Sequence, residues 1–340
     1  MDQRRSTLKD VAMRSGYALR TVKKVLNNEG TTRDSTKSAV LRAANELHYR
    51  PNRLASVLAK SHQIKLAAVY SPACKAYFPE VKHGFERFVE DYRDYGFEVE
   101  YVTCPRKGYE AQKPLLNALI DRGDISGIIL QPVDIMQLNG SIRALNQSGK
   151  PVITFGADAP GSGRLCYIGP NAYKSGKIGA QILANYIGKE GKVCVISETS
   201  GHMQTIERNR GFVDMMREAY PKIKSVGMIL ADDSNSYYEM ATTVLADPNL
   251  NALFCMDANT FLAGQALRDL GRTDVVLMGF DLSPETASLM RDGYIQVILE
   301  QDPETFTYRA AQRMAEYILY GDVPPDVINT DIRLVTSQCL

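Results

Sequence analysis

Residues 7–30 read TLKDVAMRSGYALRTVKKVLNNEG, and this stretch decides what stands at the front of the chain. Leu8, Val11 and Ala12 share one face of a short helix over Leu8–Ser15. Gly16-Tyr17-Ala18 breaks it. A second helix over Leu19–Asn27 follows, with Val22, Val25 and Leu26 apolar at helical spacing. Asn28-Glu29-Gly30 is a turn. A third helix runs from about Asp34 to Leu47, with Val40, Leu41, Ala44 and Leu47 on its apolar face and Asp34 or Thr32 as the candidate cap. Two short helices joined by a glycine-containing turn form a helix-turn-helix, whose second helix can enter the major groove. Many three-helix units share this spacing. The outward face of the second helix offers Arg20, Thr21, Lys23 and Lys24, whose side chains suit guanine edges or phosphates.

Charge follows the same division. Residues 1–60 hold 13 Lys and Arg against 5 Asp and Glu, net +8, while the remainder of the 340-residue chain carries −7. A basic head on an acidic body fits a polyanionic partner; a solvated basic face is the plainer alternative. Hydrophobic residues at 44% and charged residues at 23% exclude a disordered chain or a coiled-coil rod. No apolar run reaches the ~18 residues of a membrane span. The start, MDQRRSTLKDVA, has charges and no apolar stretch behind them, so the expectation is no secretory leader, no membrane partner and a reducing cytoplasm. The six cysteines are scattered without a C-x-x-C pair and read as buried thiols.

From Ile64 the pattern changes. Short strand-like runs recur: IKLAAVY, FEVEYV, GIILQP, PVITF, LCYIG, KVCVIS, VGMIL, ALFCM, VVLMGF and IQVIL. Helical stretches alternate with them. That alternation implies α/β architecture with parallel sheets covered on both faces, and so many strands imply two similar lobes.

The segments TLKDVAMRSG, TVKKVLN and ANELHYRPNRLASVLA together resemble the N-terminal head of the lactose-repressor family of transcription regulators. The resemblance covers about 60 residues, including the Tyr49-Arg50-Pro51-Asn52 segment at the start of a hinge. It implies a DNA-binding head over 1–50, a hinge helix over 51–61, and a homodimer whose paired hinge helices enter the minor groove. Leu58 matches the leucine that wedges between base steps, with Asn52, Arg53 and Ala55 alongside. Leu19 and Arg20 fall on base-recognition positions, with Lys24 next. Thr7 and Thr21 fall on phosphate positions, and Asn27 closes the DNA-facing set. Leu19 also suits a place in the head core. The chain departs from the family at Tyr17-Ala18, where V-S is usual, and at Lys23-Lys24, where S-R is usual; Arg33 replaces a serine. These changes put more weight on phosphate.

Residues 62–340 resemble the type I periplasmic-binding-protein fold, nearest in kind to receptors for ribose and related sugars. Two lobes, about 62–162 with 292–322 and about 163–291 with 323–340, would clamp a small ligand at the carboxyl ends of their strands. Tyr77-Phe78 stands where an aromatic pair covers a sugar ring. Arg208 matches a ligand-binding arginine, Asp257 and Asp281 match hydroxyl acceptors, and Gln301 matches a hinge-side ligand residue. Each aspartate equally suits a helix cap. The receptors' Asp-Arg pair is missing from Phe155-Gly156-Ala157-Asp158, with Asp158 as the nearest substitute. Lys75 occupies a place where an amide is common. With Arg208 it would favour an anionic sugar; alternatively it faces solvent.

No enzyme constellation accompanies this. The four histidines lack metal-binding spacing, and the phosphate-loop, dinucleotide and nucleophile-elbow motifs are absent. The expectation is a non-enzymatic repressor at the bacterial nucleoid, without metal or cofactor, whose affinity for double-stranded operator DNA is set by a small sugar-like effector. The alternatives are a sugar-binding solute receptor, a regulator for a sugar acid or sugar phosphate, and a regulator with no effector.

Overall fold

The structure, a computed structural model, describes residues 7–26, 32–47, 63–72, 77–104, 109–198, 203–231 and 234–340. The expected hinge residues Asn52, Arg53, Ala55 and Leu58 lie outside the described residues, as do Asn27 and Lys75. The chain divides into two compact units: Met1–His62 with Leu319–Gly321, and Gln63–Ile318 with Asp322–Leu340.

The first unit contains helices α1 (Leu8–Ser15), α2 (Leu19–Leu26) and α3 (Asp34–Glu46). Thr7 and Asp10 form a reciprocal capping box at the start of α1, and Gly16 ends it in the left-handed conformation. Val11, Val22, Val25, Val40, Ala43 and Ala44 make the core. The expected side-chain cap of α3 is not formed: Arg33 is the N-cap residue and makes no such bond, because the helix begins at Asp34 itself.

The second unit holds two six-stranded sheets. The first is ordered β11-β5-β4-β3-β1-β2, from β1 (Ile64–Tyr70), β2 (Phe97–Thr103), β3 (Ile125–Leu130), β4 (Val152–Phe155), β5 (Cys166–Pro170) and β11 (Val327–Thr330). The second is ordered β12-β10-β9-β8-β6-β7, from β6 (Gly191–Glu198), β7 (Ile223–Ala231), β8 (Ala252–Cys255), β9 (Val276–Phe280), β10 (Val297–Glu300) and β12 (Arg333–Val335). Every pairing is parallel except β10 with β12. Runs such as Val152–Phe155 and Ala252–Cys255 are buried throughout, as strands covered on both faces must be. The connecting helices are α4 (Phe78–Asp91), α5 (Tyr109–Ile120), α6 (Ile135–Gln147), α7 (Ala172–Tyr186), α8 (Met203–Ala219), α9 (Ser234–Leu245), α10 (Thr260–Asp269), α11 (Pro284–Arg291) and α12 (Pro303–Tyr320).

The chain passes between lobes at three places: after β5, after β10, and between β11 and β12. The expected lobe limits therefore change. β5 and β11 belong to the first lobe and β10 to the second, because each pairs in register with that lobe's sheet. Four of the described cysteines are buried, but Cys339 is exposed.

Helices α7 and α8 meet backbone to backbone. A Cβ on Gly176 would lie 1.9 Å from the carbonyl oxygen of Arg208, and one on Gly211 would lie 2.0 Å from that of Tyr173. This contact fixes the height of α8 and hence of Arg208. Gly176→Ala should destabilise the body by about 1–3 kcal/mol through overpacking, although alanine is the better helix former. Thermal unfolding checks the sign; an unchanged or higher Tm would contradict the close contact.

Candidate functional site

Two surfaces gather the residues singled out from the sequence. On the head, Leu19, Arg20, Lys23 and Lys24 are exposed along α2, while Val22 and Val25 turn inward. Leu19 is 44% exposed, which places it on the outer face and not in the core. Thr21 is half-buried. Thr7 uses its hydroxyl in the capping box, donating to Asp10 at 2.7 Å and accepting from the Asp10 amide at 3.3 Å. Among its described residues, the head presents a short positive helix face with one apolar side chain at its start, a form suited to a groove lined by phosphates.

On the body, Arg208, Asp281 and Gln301 come together. Arg208 rises from the buried face of α8 and is 3% exposed. One terminal nitrogen donates to the Met256 carbonyl at 2.7 Å, and the other to Gln301 Oε1 at 2.6 Å. The guanidinium lies 3.8 Å from the centre of the Phe280 ring. Its Nε has no hydrogen-bond partner among the described residues. Gln301 follows β10 at a lobe crossing and donates from Nε2 to Asp281 Oδ1 at 2.6 Å. Asp281 follows β9 with a φ of 63°, and Asp302 follows Gln301 with a φ of 58°. Aspartate tolerates this left-handed backbone better than most residues. The cap of α11 is Ser283, so Asp281 keeps its carboxylate for the cluster.

Asp257 follows β8. It accepts from the Ser197 hydroxyl at 3.1 Å and from the Asn259 amide at 2.9 Å, a turn at the entry to α10. Asn259 is the N-cap residue of α10 and makes no side-chain cap bond. The aromatic pair divides: Phe78 packs on Tyr70 at 5.3 Å, whereas Tyr77 packs on Phe306 at 6.1 Å. A Cβ on Gly156 would lie 2.7 Å from the Tyr77 hydroxyl. The tyrosine thus borders the place where the sequence lacks the receptors' Asp-Arg pair. Asp158 is already paired. Both of its oxygens go to Arg164, which also reaches Asp326 at 2.7 Å, because a guanidinium buried to this degree needs anionic partners.

Three further residues escaped the sequence reading. Gln204 lies one helical turn before Arg208 and donates to Gln301 Oε1 at 3.2 Å; that i, i+4 spacing was the available signal. Tyr167 donates to the Pro170 carbonyl at 2.9 Å beside the first lobe crossing. Glu80, in the first turn of α4, faces acids across the lobes. Burial, then Glu300, Asp281 and Asp302, push its carboxyl up to about 7, against Arg333. Burial and Glu300 push Asp281 up to about 7 as well, while Arg208 and Gln301 hold it down and Asp257 adds to the rise. Burial also depresses the Arg208 pKa, opposed by Asp281, Tyr167, Tyr77 and Asp257. Among the described residues, no group of three or more His, Cys, Asp or Glu is placed to hold a metal ion, and no helix is long and apolar enough to cross a membrane.

Comparison with known proteins follows the same two parts. Residues 66–322 match the family described as a periplasmic binding protein domain, and residues 7–52 match the bacterial regulatory proteins of the lacI family. The ribose import binding protein RbsB of Salmonella typhimurium is 23% identical over 212 residues, 62% of this chain and 71% of that protein. The HTH-type transcriptional repressor PurR of Pasteurella multocida is 25% identical over 287 residues, 81% of this chain and 82% of that one. The crystal structure of an ABC transporter solute binding protein from Burkholderia graminis, in complex with D-arabinose, has a TM-score of 0.76 at 26% identity and covers 82% of this chain and 96% of that chain.

The raised carboxyls give a pH dependence of defined sign. Both acids hold a proton more tightly folded than unfolded. Their stabilising contribution is complete below the ordinary carboxyl range near ~4 and is lost as pH rises through about 7. Glu80 is partly exposed, so water screening reduces its share to roughly 1 kcal/mol. Glu80→Gln should therefore raise Tm at pH 8 by roughly 2–4 °C and leave it unchanged near pH 4. An equal shift at both pH values would contradict the placement of Glu80 among these acids.

Proposed function

The chain belongs to the lacI family of bacterial regulatory proteins, with a periplasmic binding protein domain as its body, and from that premise we propose that a neutral sugar bound between the lobes controls its hold on DNA. It is a DNA-binding transcription regulator that answers to a small molecule. Acting in the cytoplasm as a homodimer, it represses transcription by placing two heads on a roughly palindromic operator. Arg20, Lys23, Lys24 and Leu19 supply the major-groove contacts, and Leu58 with Asn52, Arg53 and Ala55 supplies the minor-groove contacts.

The observation that carries the effector reading is the buried Arg208–Gln301–Asp281 cluster. It combines fixed donors and acceptors with the apolar rings of Phe280 and Tyr77, which suits an ordered set of hydroxyls on a ring with an apolar face. Charge selects a neutral ligand. Among the described residues, two guanidinium groups, Arg208 and Arg333, stand against four carboxyl groups, Asp257, Asp281, Glu300 and Glu80, so an added carboxylate or phosphate meets more repulsion than attraction. The anionic alternative rests on Lys75, outside the described residues.

A thermal-shift series on the full chain tests this reading with pentoses, hexoses, sugar acids and sugar phosphates. A neutral sugar at 100 times its Kd should stabilise the body by about 2.7 kcal/mol, and Arg208→Ala should abolish the shift while leaving unliganded DNA affinity within about twofold. A sugar acid or phosphate that outperforms every neutral sugar would reverse the charge argument. A neutral-sugar response that survives in the variant would remove Arg208 from the site.

A further inference from the structure

We infer that Glu80 makes the angle between the lobes answer to protons: with its carboxyl protonated the lobes close, and with it ionised they open. The inference goes beyond the sugar reading and does not need it. It needs only that the lobes rotate about their crossings.

Glu80 is an unbalanced acid beside a hinge. It stands in the first turn of α4, on the first lobe, and is half-buried. Among the described residues it makes no hydrogen bond or ion pair, and it faces three other acids. Glu300 ends β10 and Asp281 follows β9, both on the second lobe, while Asp302 follows the crossing. Donors of their own hold these three carboxylates in place. Glu300 accepts from the amides of Leu282 at 2.7 Å, Gln301 at 2.9 Å and Asp302 at 3.2 Å. Asp281 accepts from Gln301 Nε2, and Asp302 accepts from the Thr305 amide at 3.2 Å. None can turn away from Glu80 without losing such a bond.

The nearby cations are committed elsewhere. His83 and Arg87, one and two turns along α4, both bond Glu304, at 2.9 and 3.1 Å. Lys82 pairs with Glu86 at 3.1 Å. Arg333 is exposed and pairs in register with Glu300 across β10 and β12. The amino end of α4 favours the anion. Burial and the three acids outweigh it and Arg333, and push the Glu80 carboxyl up to about 7.

The fold fixes α4 on one side of this hinge. A Cβ on Gly84 would lie 2.0 Å from Thr307 Oγ1 and 2.4 Å from the Glu304 carbonyl oxygen. The backbone of α4 therefore rests on the start of α12, directly after the crossing at Gln301 and Asp302. Rotation at that crossing moves Glu300 and Asp281 relative to Glu80 and leaves α4 on α12. Opening returns Glu80 to water and to the ordinary carboxyl range near ~4. The closed form thus holds the proton more tightly. Its advantage is complete below that ordinary range and is lost as pH rises through about 7.

Pulsed electron resonance on the unliganded full chain measures the lobe separation directly. One spin label goes on the exposed Cys339, after β12 of the second lobe, and one on Lys113→Cys, in α5 of the first, with Cys74→Ser as background. The distance distribution should shift between pH 6 and pH 8. Glu80→Gln should keep the pH 6 distribution at both, and His83→Gln should leave the native shift intact. For any neutral sugar that binds, Kd should rise about five- to tenfold over the same range, and by less than about twofold in Glu80→Gln. An identical distribution at both pH values, a shift that survives in Glu80→Gln or vanishes in His83→Gln, or a sugar Kd indifferent to pH would overturn the inference and leave the sugar site standing. A shift that obeys both variants while no sugar binds would establish the proton response and remove the sugar reading.

Discussion

A buried guanidinium sets the terms for the body. Removing the charge of Arg208 from water costs several kcal/mol unless hydrogen bonds and nearby anions compensate. Its compensators arrive from separate strand ends: Met256 after β8, Phe280 at the end of β9, and Gln301 after β10. The register of three neighbouring strands and the height of one helix must agree for all to be in reach. The Gly176 and Gly211 contacts, which have no value for helix propensity, supply that height.

The same cluster sits where the chain changes lobes. Gln301 and Asp302 form one of the three crossings, so a bond to Gln301 is a bond to the hinge. Across the gap, Glu80 brings a further acid toward Asp281 and Glu300. Closing the lobes therefore gathers carboxyl groups in a region with little solvent, an arrangement that is unfavourable without donors. In the proposed complex, the hydroxyl donors of a sugar would offset that repulsion. Ligand binding and the lobe angle are then linked through the same atoms, as a population shift between open and closed forms requires.

Much of this architecture could be read from the residues. The three head helices follow from apolar spacing at Val11, Val22, Val25 and Val40, and ten strands follow from short β-branched and aromatic runs, most of them buried. The last two strands, Val327–Thr330 and Arg333–Val335, escaped because they are short and mostly exposed, so hydrophobicity does not mark them. Their absence, and the pairing of β5 and β10, displaced the lobe limits. Of the candidate site, Arg208, Asp281 and Gln301 were singled out through the resemblance to sugar receptors, and the structure brings the three together. The fate of Asp158 was not legible, since its partner Arg164 needs an anion for reasons of burial that sequence spacing does not express. Glu80 was equally hidden: its neighbours are more than two hundred residues away and meet it only in the folded chain.

The central claim is that the body and the head are one thermodynamic unit. The direct measurement is the affinity for an operator selected from randomised duplex DNA, taken with and without saturating effector, together with effector affinity with and without that DNA. The account predicts a change of about 5–150-fold in operator affinity, and the same factor when the operator is the ligand varied, because coupling is reciprocal. Operator affinity that does not move when the cleft is filled would contradict it.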